Sequence, residues 1–340
     1  MKTLVTGGAG YIGSHAAIEL VAAGHDVVVL DNLSNGTRAA VEAIGRLAGR
    51  DVPFVEGDIR DSACLDRTFA DHCFDAVLHF AALKAVGESV AEPLRYYQNN
   101  VAGTACLLER MAAHGVKTMV FSSSAAVYGD PATTPINENC PPDPKSPYAR
   151  TKLIVESLLR DTHAADADWR ISILRYFNAV GAHPSGEIGE DPAGVPQNLL
   201  PFVAQVAAGR RERLNVFGND YPTPDGTGIR DYLHVVDLAR GHVNALDYLA
   251  TRTGVAVHNL GTGRGHTVFE VVRAFEAASA REVPYRIAPR RPGDVVVSCA
   301  DPARAGDELG WTAEYDLRRI CEDLWQWQST HPHGFRGIKA

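Results

Sequence analysis

The chain has 340 residues, 45% of them hydrophobic and 22% charged, ordinary values for a globular protein with room for one large or two moderate domains. Its formal charge of -8, from 33 Lys and Arg against 41 Asp and Glu, argues against nucleic acid as a partner, although one pocket could still gather arginines for an anionic substrate. The six cysteines, at positions 64, 73, 106, 140, 299 and 321, include no C-x-x-C pair and read as free thiols of a reducing compartment, with neither a zinc site nor a disulfide framework favoured.

Residues 2–6 already read as a strand, so no signal peptide is expected. No apolar run approaches the roughly 18 residues of a membrane span, and a cytoplasmic protein is expected. Residues 15–23 show helical periodicity ended by Gly24, and 27–30 form a short apolar strand. Further strands are predicted at 52–56, 76–80, 118–121 and 171–175, with helical stretches between them, the clearest at 101–114. Apolar strands separated by helices predict a parallel sheet covered on both faces, a doubly wound α/β fold of Rossmann type.

After Phe177 the composition shifts to glycine, proline and acidic residues over 181–201 and 218–228, as in loops over a cleft. Residues 231–249 then look helical and 257–260 strand-like. A smaller C-terminal substrate domain is therefore expected to interleave with the sheet. Residues 1–177 with 230–262 would form the nucleotide domain, and 178–229 with 263–340 the substrate domain.

Gly7, Gly10 and Gly13 fall between the first strand and the first helix. A turn of this kind lets the backbone approach a pyrophosphate, whose charge the helix N-terminus meets. Asp31 ends the second strand, 18 residues past Gly13, where a carboxylate can accept from both hydroxyls of an adenosine ribose. It should also repel a 2′-phosphate, favouring NAD over NADP, with Arg38 close enough to soften that preference. Asp58 and Ile59, after the third strand, either border the adenine or leave Asp58 as a plain cap.

Ser122, Ser123 and Ser124 close the strand at 118–121, at the carboxyl edge where open α/β sheets bind ligands. A serine there could bond a sugar hydroxyl and relay a proton, or simply satisfy a turn. Tyr148 and Lys152 stand four apart, which on a helix places them on one face with Cβ atoms about 5–6 Å apart. Ionising a phenol of pKa about 10 near neutrality takes roughly 3 units, about 4 kcal/mol. One cation about 4 Å away supplies about 1 kcal/mol in water but about 4 kcal/mol at an effective dielectric of 20. The pair acts as a base only in a partly closed cleft; elsewhere it is a tyrosine packed by a lysine stem.

The glycine pattern, Asp31, Ser124 and the Tyr148/Lys152 pair resemble the extended short-chain dehydrogenase/reductases. Longer strings, at 79–89, 174–178 and 228–232, are similar to the UDP-glucose 4-epimerase family within that group, and the likeness runs from about residue 1 to about residue 335. The resemblance implies NAD contacts at Gly7, Gly10, Tyr11, Ile12, Gly13, Asp31, Asn32, Asn35, Gly36, Asp58, Ile59, Phe80, Ala81, Ala82, Lys84, Asn99, Ser122, Tyr148 and Lys152, with Phe177 beside the nicotinamide. It implies a catalytic trio of Ser124, Tyr148 and Lys152. A UDP-sugar site is implied at Asn178, Asn198, Leu199, Asn215, Val216, Phe217, Arg230 and the stretch from Arg291 to Asp294, together with Lys84, Ser124 and Tyr148. Guanidinium forks suit a diphosphate, although isolated arginines are more often solvated surface.

The activity so implied inverts carbon 4 of UDP-glucose or UDP-galactose, a step of galactose metabolism, by hydride removal to NAD and return through a 4-keto sugar. Ser298 falls where the family carries either tyrosine or a small residue in the pocket wall, so UDP-GlcNAc and UDP-GalNAc are expected to fit as well. Helices over 94–114 and 148–162 are expected to form a homodimer seam, as in related epimerases. Four other readings compete: a main activity on UDP-GlcNAc, a sugar-nucleotide 4,6-dehydratase, a simple NAD-dependent dehydrogenase, and a non-catalytic NAD-binding regulator. Ala125 and Ala126 offer no acid for dehydration, and a regulator has no use for an activated phenol. No metal is expected.

Overall fold

The computed structural model of the chain describes residues 1–191, 194–291 and 293–335. The first six strands are β1 (Lys2–Thr6), β2 (Asp26–Asp31), β3 (Phe54–Glu56), β4 (Ala76–His79), β5 (Thr118–Ser122) and β6 (Arg170–Tyr176). Then follow β7 (Asn178–Val180), β8 (Leu214–Phe217), β9 (Ile229–His234), β10 (Gly254–Leu260), β11 (Gly265–Thr267), β12 (Tyr285–Ala288) and β13 (Val297–Ser298).

Seven strands form one parallel sheet in the order β10-β6-β5-β4-β1-β2-β3. Strand apolarity follows from its two covered faces. Val5, Val29, Leu78, Val120 and Leu174 enter one core cluster, while their alternating neighbours Leu4, Val28, Val77, Met119 and Ile173 enter another. This is the doubly wound fold expected from the apolar runs. The chain reverses direction across the sheet between β1 and β4, so a crevice opens at the carboxyl ends of those strands.

A second set of strands lies after β6. β9 pairs with β7, β11 and β13, and β8 pairs with β12. The helix expected over 231–249 is Val235–Thr251, and its first four expected residues belong to β9 instead. Tyr232, Leu233 and His234 pair with β7 and are buried, so sheet pairing overrides the helical periodicity there.

The helix expected at 101–114 runs Gly103–Ala113 and is preceded by a π-helical turn, Tyr97–Ala102. Such widened turns tend to sit at functional sites. This one carries Asn99 and Asn100. Asn100 bonds both backbone groups of Leu83, at 2.8 and 3.0 Å, and the hydroxyl of Thr151 at 3.0 Å. It thereby joins the loop after β4 to the helix Pro147–Ala165. Among the described residues no helix is long and apolar enough to cross a membrane.

Candidate active site

At the end of β1 the chain turns so tightly that side chains are excluded. Gly7 has φ +70, and a Cβ there would stand 2.6 Å from the Ala81 nitrogen. A Cβ on Gly13 would stand 2.3 Å from the Gly7 carbonyl oxygen. Gly10 precedes the helix Tyr11–Ala22 with no side-chain cap, leaving first-turn N–H groups for a ligand. Asp31 ends β2, buried, where its carboxylate accepts from the Ala9 N–H at 3.1 Å and the Leu33 N–H at 2.8 Å. Burial raises its pKa and these two N–H groups oppose the rise.

Gly7, Gly10, Tyr11, Ile12, Gly13, Asp31, Asn32, Asn35, Gly36, Ile59, Phe80, Ala81, Ala82, Lys84, Asn99, Ser122, Tyr148 and Lys152 all line one cleft. Two residues expected with them stand outside that lining. Asp58 accepts from the backbone and guanidinium of Arg60 and from the Asn32 amide at 2.8 Å, so it acts as a turn carboxylate that steadies Asn32. The Arg60 hydrogen bonds, against some burial, hold its pKa well below the usual carboxylate range. Phe177 packs with Val127, Tyr128, Ile136 and Ala300, while the preceding Tyr176 lines the cleft. Alternation of faces at the end of β6 is the signal that could have found Tyr176. Arg38 pairs with Glu56 and lies 5.5 Å from the Phe54 ring, which occupies the cation expected to soften the preference set by Asp31.

Tyr148 sits in the first turn of the helix Pro147–Ala165, which begins with Pro147 after a Ser146 cap whose hydroxyl accepts from Ala149 N–H at 3.2 Å. The Ser124 hydroxyl accepts from the Ala126 N–H at 3.1 Å and lies near enough to the Tyr148 phenol to oppose the rise in its pKa. Lys152 Nζ donates to the Ser122 carbonyl oxygen at 2.7 Å and lies 4.9 Å from the Phe121 ring. One turn on, Glu156 accepts from Ser123 Oγ at 2.7 Å and from Arg175 Nε at 2.9 Å. Three successive serines at the sheet edge thus meet Tyr148, Lys152 and Glu156, one per helical turn.

The resemblance implies that Lys152 and the nicotinamide charge together lower the phenol pKa, and without the second charge the phenol is not acidified. Burial pushes the Tyr148 pKa well above its ordinary value, with Tyr176 adding to the rise and Ser124 and Lys84 opposing it. Burial also pushes Lys152 down to about 7, against the pull of Glu156. Desolvation outweighs the neighbouring charges for both groups, so the cleft lowers the phenol only when it holds further positive charge.

A second cleft is lined by Asn178, Asn198, Leu199, Asn215, Val216, Phe217, Arg230, Arg291 and Asp294, the residues expected to hold a UDP-sugar. Phe202 and Tyr221, aromatic residues that no local pattern marked, join them, as does Tyr232 from the string at 228–232. Pro292, inside the expected stretch, lies outside the described residues. Asp294 accepts from Arg291 at 2.9 Å and stands 4.0 Å from Arg230, so one carboxylate faces two guanidiniums and the pair keeps a surplus of positive charge. Arg291 lies 4.8 Å from the Phe217 ring. Arg230 is set by its neighbour Asp231, which is fully buried and accepts from the Thr262, Gly263 and Ala300 N–H groups at 2.9, 3.0 and 3.1 Å. Ser298 is the register partner of Arg230 across β13 and β9. Ser124 and Ser298 line neither cleft. Tyr176 lines the first cleft and Asn178 the second, so the two adjoin where β6 passes into β7.

Fold and site together define an extended short-chain dehydrogenase/reductase. The profile of the family described as GDP-mannose 4,6 dehydratase matches residues 4–324. The UDP-glucose 4-epimerase of Bacillus subtilis (strain 168) is 56% identical over 339 residues, covering 100% of each chain. Among solved structures, the UDP-glucose 4-epimerase of Bifidobacterium longum, in complex with NAD+ and UDP, is 50% identical with a TM-score of 0.95, covering 98% of this chain and 100% of that one. The enzyme from Stenotrophomonas maltophila, with bound NAD and formylated UDP-arabinopyranose, is 52% identical with a TM-score of 0.96, covering 98% and 99%. The chain belongs to this dehydratase-related family and, within it, to the UDP-glucose 4-epimerases.

Proposed function

We propose that the protein interconverts UDP-glucose and UDP-galactose by inverting carbon 4, with NAD as resident cofactor. The side-chain-free turn at Gly7 and Gly13 and the buried carboxylate of Asp31 fit a dinucleotide bound along the first cleft. Bound NAD supplies a hydride acceptor that can give the hydride back to the same carbon. The chain's own residues do the rest. Tyr148 takes the proton from the 4-hydroxyl and returns it, Ser124 orients that hydroxyl, and Lys152 contributes charge beside them. Arg230 and Arg291 hold the diphosphate, so the 4-keto sugar can turn over without leaving. Return of the hydride to the opposite face completes the inversion with no net oxidation.

The observation that carries this reading is the placing of Tyr148 and Lys152 in one cleft with Gly7, Gly13 and Asp31, next to a second cleft with surplus guanidinium charge. Proton NMR of the chain incubated with UDP-galactose alone tests it. UDP-glucose should form without added NAD, and an unchanged spectrum from folded, NAD-loaded protein would refute the reading.

Finer features belong to the same proposal. A small residue at 298, register partner of Arg230, matches the family's position that leaves room for an acetamido group, so UDP-GlcNAc and UDP-GalNAc are accepted too. Residues 1–177 with 230–262 act as the NAD domain, and 178–229 with 263–340 carry the UDP-sugar. Val86, Val90, Leu94 and Ile154 are exposed apolar side chains on neighbouring helices, suited to a homodimer face. The setting is cytoplasmic galactose metabolism.

A further inference from the structure

Lys84 and Glu190 reach the first cleft from places 106 residues apart in the chain. Lys84 Nζ donates to Glu190 Oε1 at 2.7 Å and lies 5.8 Å from the Tyr11 ring, which lines the same cleft. The Glu190 side chain is only 9% exposed. Its second oxygen, Oε2, is buried and has no hydrogen-bond partner among the described residues. Leaving a carboxylate oxygen out of water without a donor costs free energy, and an orphan of this kind calls for a ligand or another partner.

The oxygen is held in place rather than left on a free loop. The Glu190 carbonyl accepts from Trp327 Nε1 at 3.4 Å, and the neighbouring Asp191 carboxylate accepts from the Phe335 N–H at 3.1 Å. Thr330 Oγ1 donates to the Gly186 carbonyl at 3.3 Å. The end of the helix Leu317–Thr330 thus fastens the 186–191 loop against the cleft, and Phe335 itself joins the lining. The Glu190 carboxylate is presented to the cleft by a fixed backbone, with one oxygen committed to Lys84 and one open.

We propose that Glu190 is a cofactor-binding residue, whose Oε1 fixes Lys84 while Oε2 accepts a hydrogen bond from a hydroxyl or amide donor of the bound dinucleotide. The assignment deepens the NAD reading above and rests on it. It makes the segment around Glu190 a strap that retains the cofactor through turnover, which a reaction with no net oxidation requires.

The test compares the unaltered chain with Glu190→Ala and Glu190→Gln, each freed of cofactor. NADH binding is read by fluorescence, UDP binding by calorimetry, and the fold by thermal melting. A charge-assisted hydrogen bond predicts that the NADH dissociation constant rises at least about tenfold in Glu190→Ala. It rises less in Glu190→Gln, which keeps one acceptor oxygen, and UDP affinity stays unchanged in both. NADH affinity equal to that of the unaltered chain would overturn the assignment. So would a parallel loss of NADH and UDP affinity with a lowered melting temperature, the mark of a purely structural strap. If the unaltered chain itself bound no NADH, the cofactor reading would fail instead.

Discussion

Lys152 Nζ points at the backbone carbonyl of Ser122, 2.7 Å away, and so ties the middle of its helix to the sheet edge that carries Ser124. The lysine therefore has a structural duty besides its charge. With its pKa pushed down to about 7 by burial, that charge is carried by a sensitive fraction of molecules near neutrality.

The first prediction follows from this shift. Between pH 7 and 9 the folded chain has largely lost the Lys152 proton that the unfolded chain, with a pKa near 10.4, still holds. Because the unfolded state binds more protons in that window, the Lys152 contribution to stability rises with pH, by at most roughly 1.4 kcal/mol per unit. Conversely, it is lost as pH falls through about 7. Urea denaturation of the unaltered chain and Lys152→Met at pH 7 and pH 9 should show a stability difference that shifts towards the unaltered chain at the higher pH. A pH-independent difference would contradict the shift.

Tyr148→Phe removes the titrating oxygen and little volume. Turnover should fall by about 10²–10⁴-fold or more, while UDP affinity, set in the second cleft, holds. Steady-state kinetics with UDP-galactose and calorimetry with UDP check both halves. Activity within a few-fold of the unaltered chain would remove the phenol from the chemistry.

Glu156 is fully buried and shared by Arg175 and Ser123. Burial would raise its pKa, but the Arg175 hydrogen bonds and charge, with Ser123, bring it below the ordinary value. Its stabilisation is therefore present above pH about 4.5 and is lost as pH falls through the lowered folded value. Glu156→Gln leaves the Arg175 charge uncompensated and should cost about 3–5 kcal/mol by urea denaturation at pH 7. A loss below about 1 kcal/mol would mean that the network matters little.

Ser298→Tyr places a large ring at the register partner of Arg230, where the family's pocket wall carries either tyrosine or a small residue. Conversion of UDP-GlcNAc should drop by at least about tenfold relative to that of UDP-galactose, since an acetamido group no longer fits. Equal retention of both substrates, measured by competition in one NMR sample, would show that position 298 does not select.

Much of this architecture is legible in the sequence because its signals are local. Apolar runs set the parallel strands, and glycines at 7, 10 and 13 mark the turn. The spacing of Tyr148 and Lys152 is a helical one. What stayed hidden depends on distant packing. Glu190 and Phe335 reach the first cleft only because the chain's C-terminal helix fastens the 186–191 loop. Tyr176 replaced Phe177 in the lining because the faces alternate at the strand end. The start of the helix after β9 was misplaced because pairing with β7 holds Tyr232 to His234 extended. The raised pKa of Tyr148 also escaped sequence reasoning, since burial, which no spacing reveals, outweighs the opposing Ser124 and Lys84.

The central claim is that hydride leaves carbon 4 and returns to the same carbon where the two clefts adjoin. UDP-galactose deuterated at carbon 4, converted by the purified chain in ordinary water, tests this directly by NMR and mass spectrometry of the product. The account predicts UDP-glucose that keeps its deuterium at carbon 4. A product carrying solvent hydrogen at that carbon would contradict it.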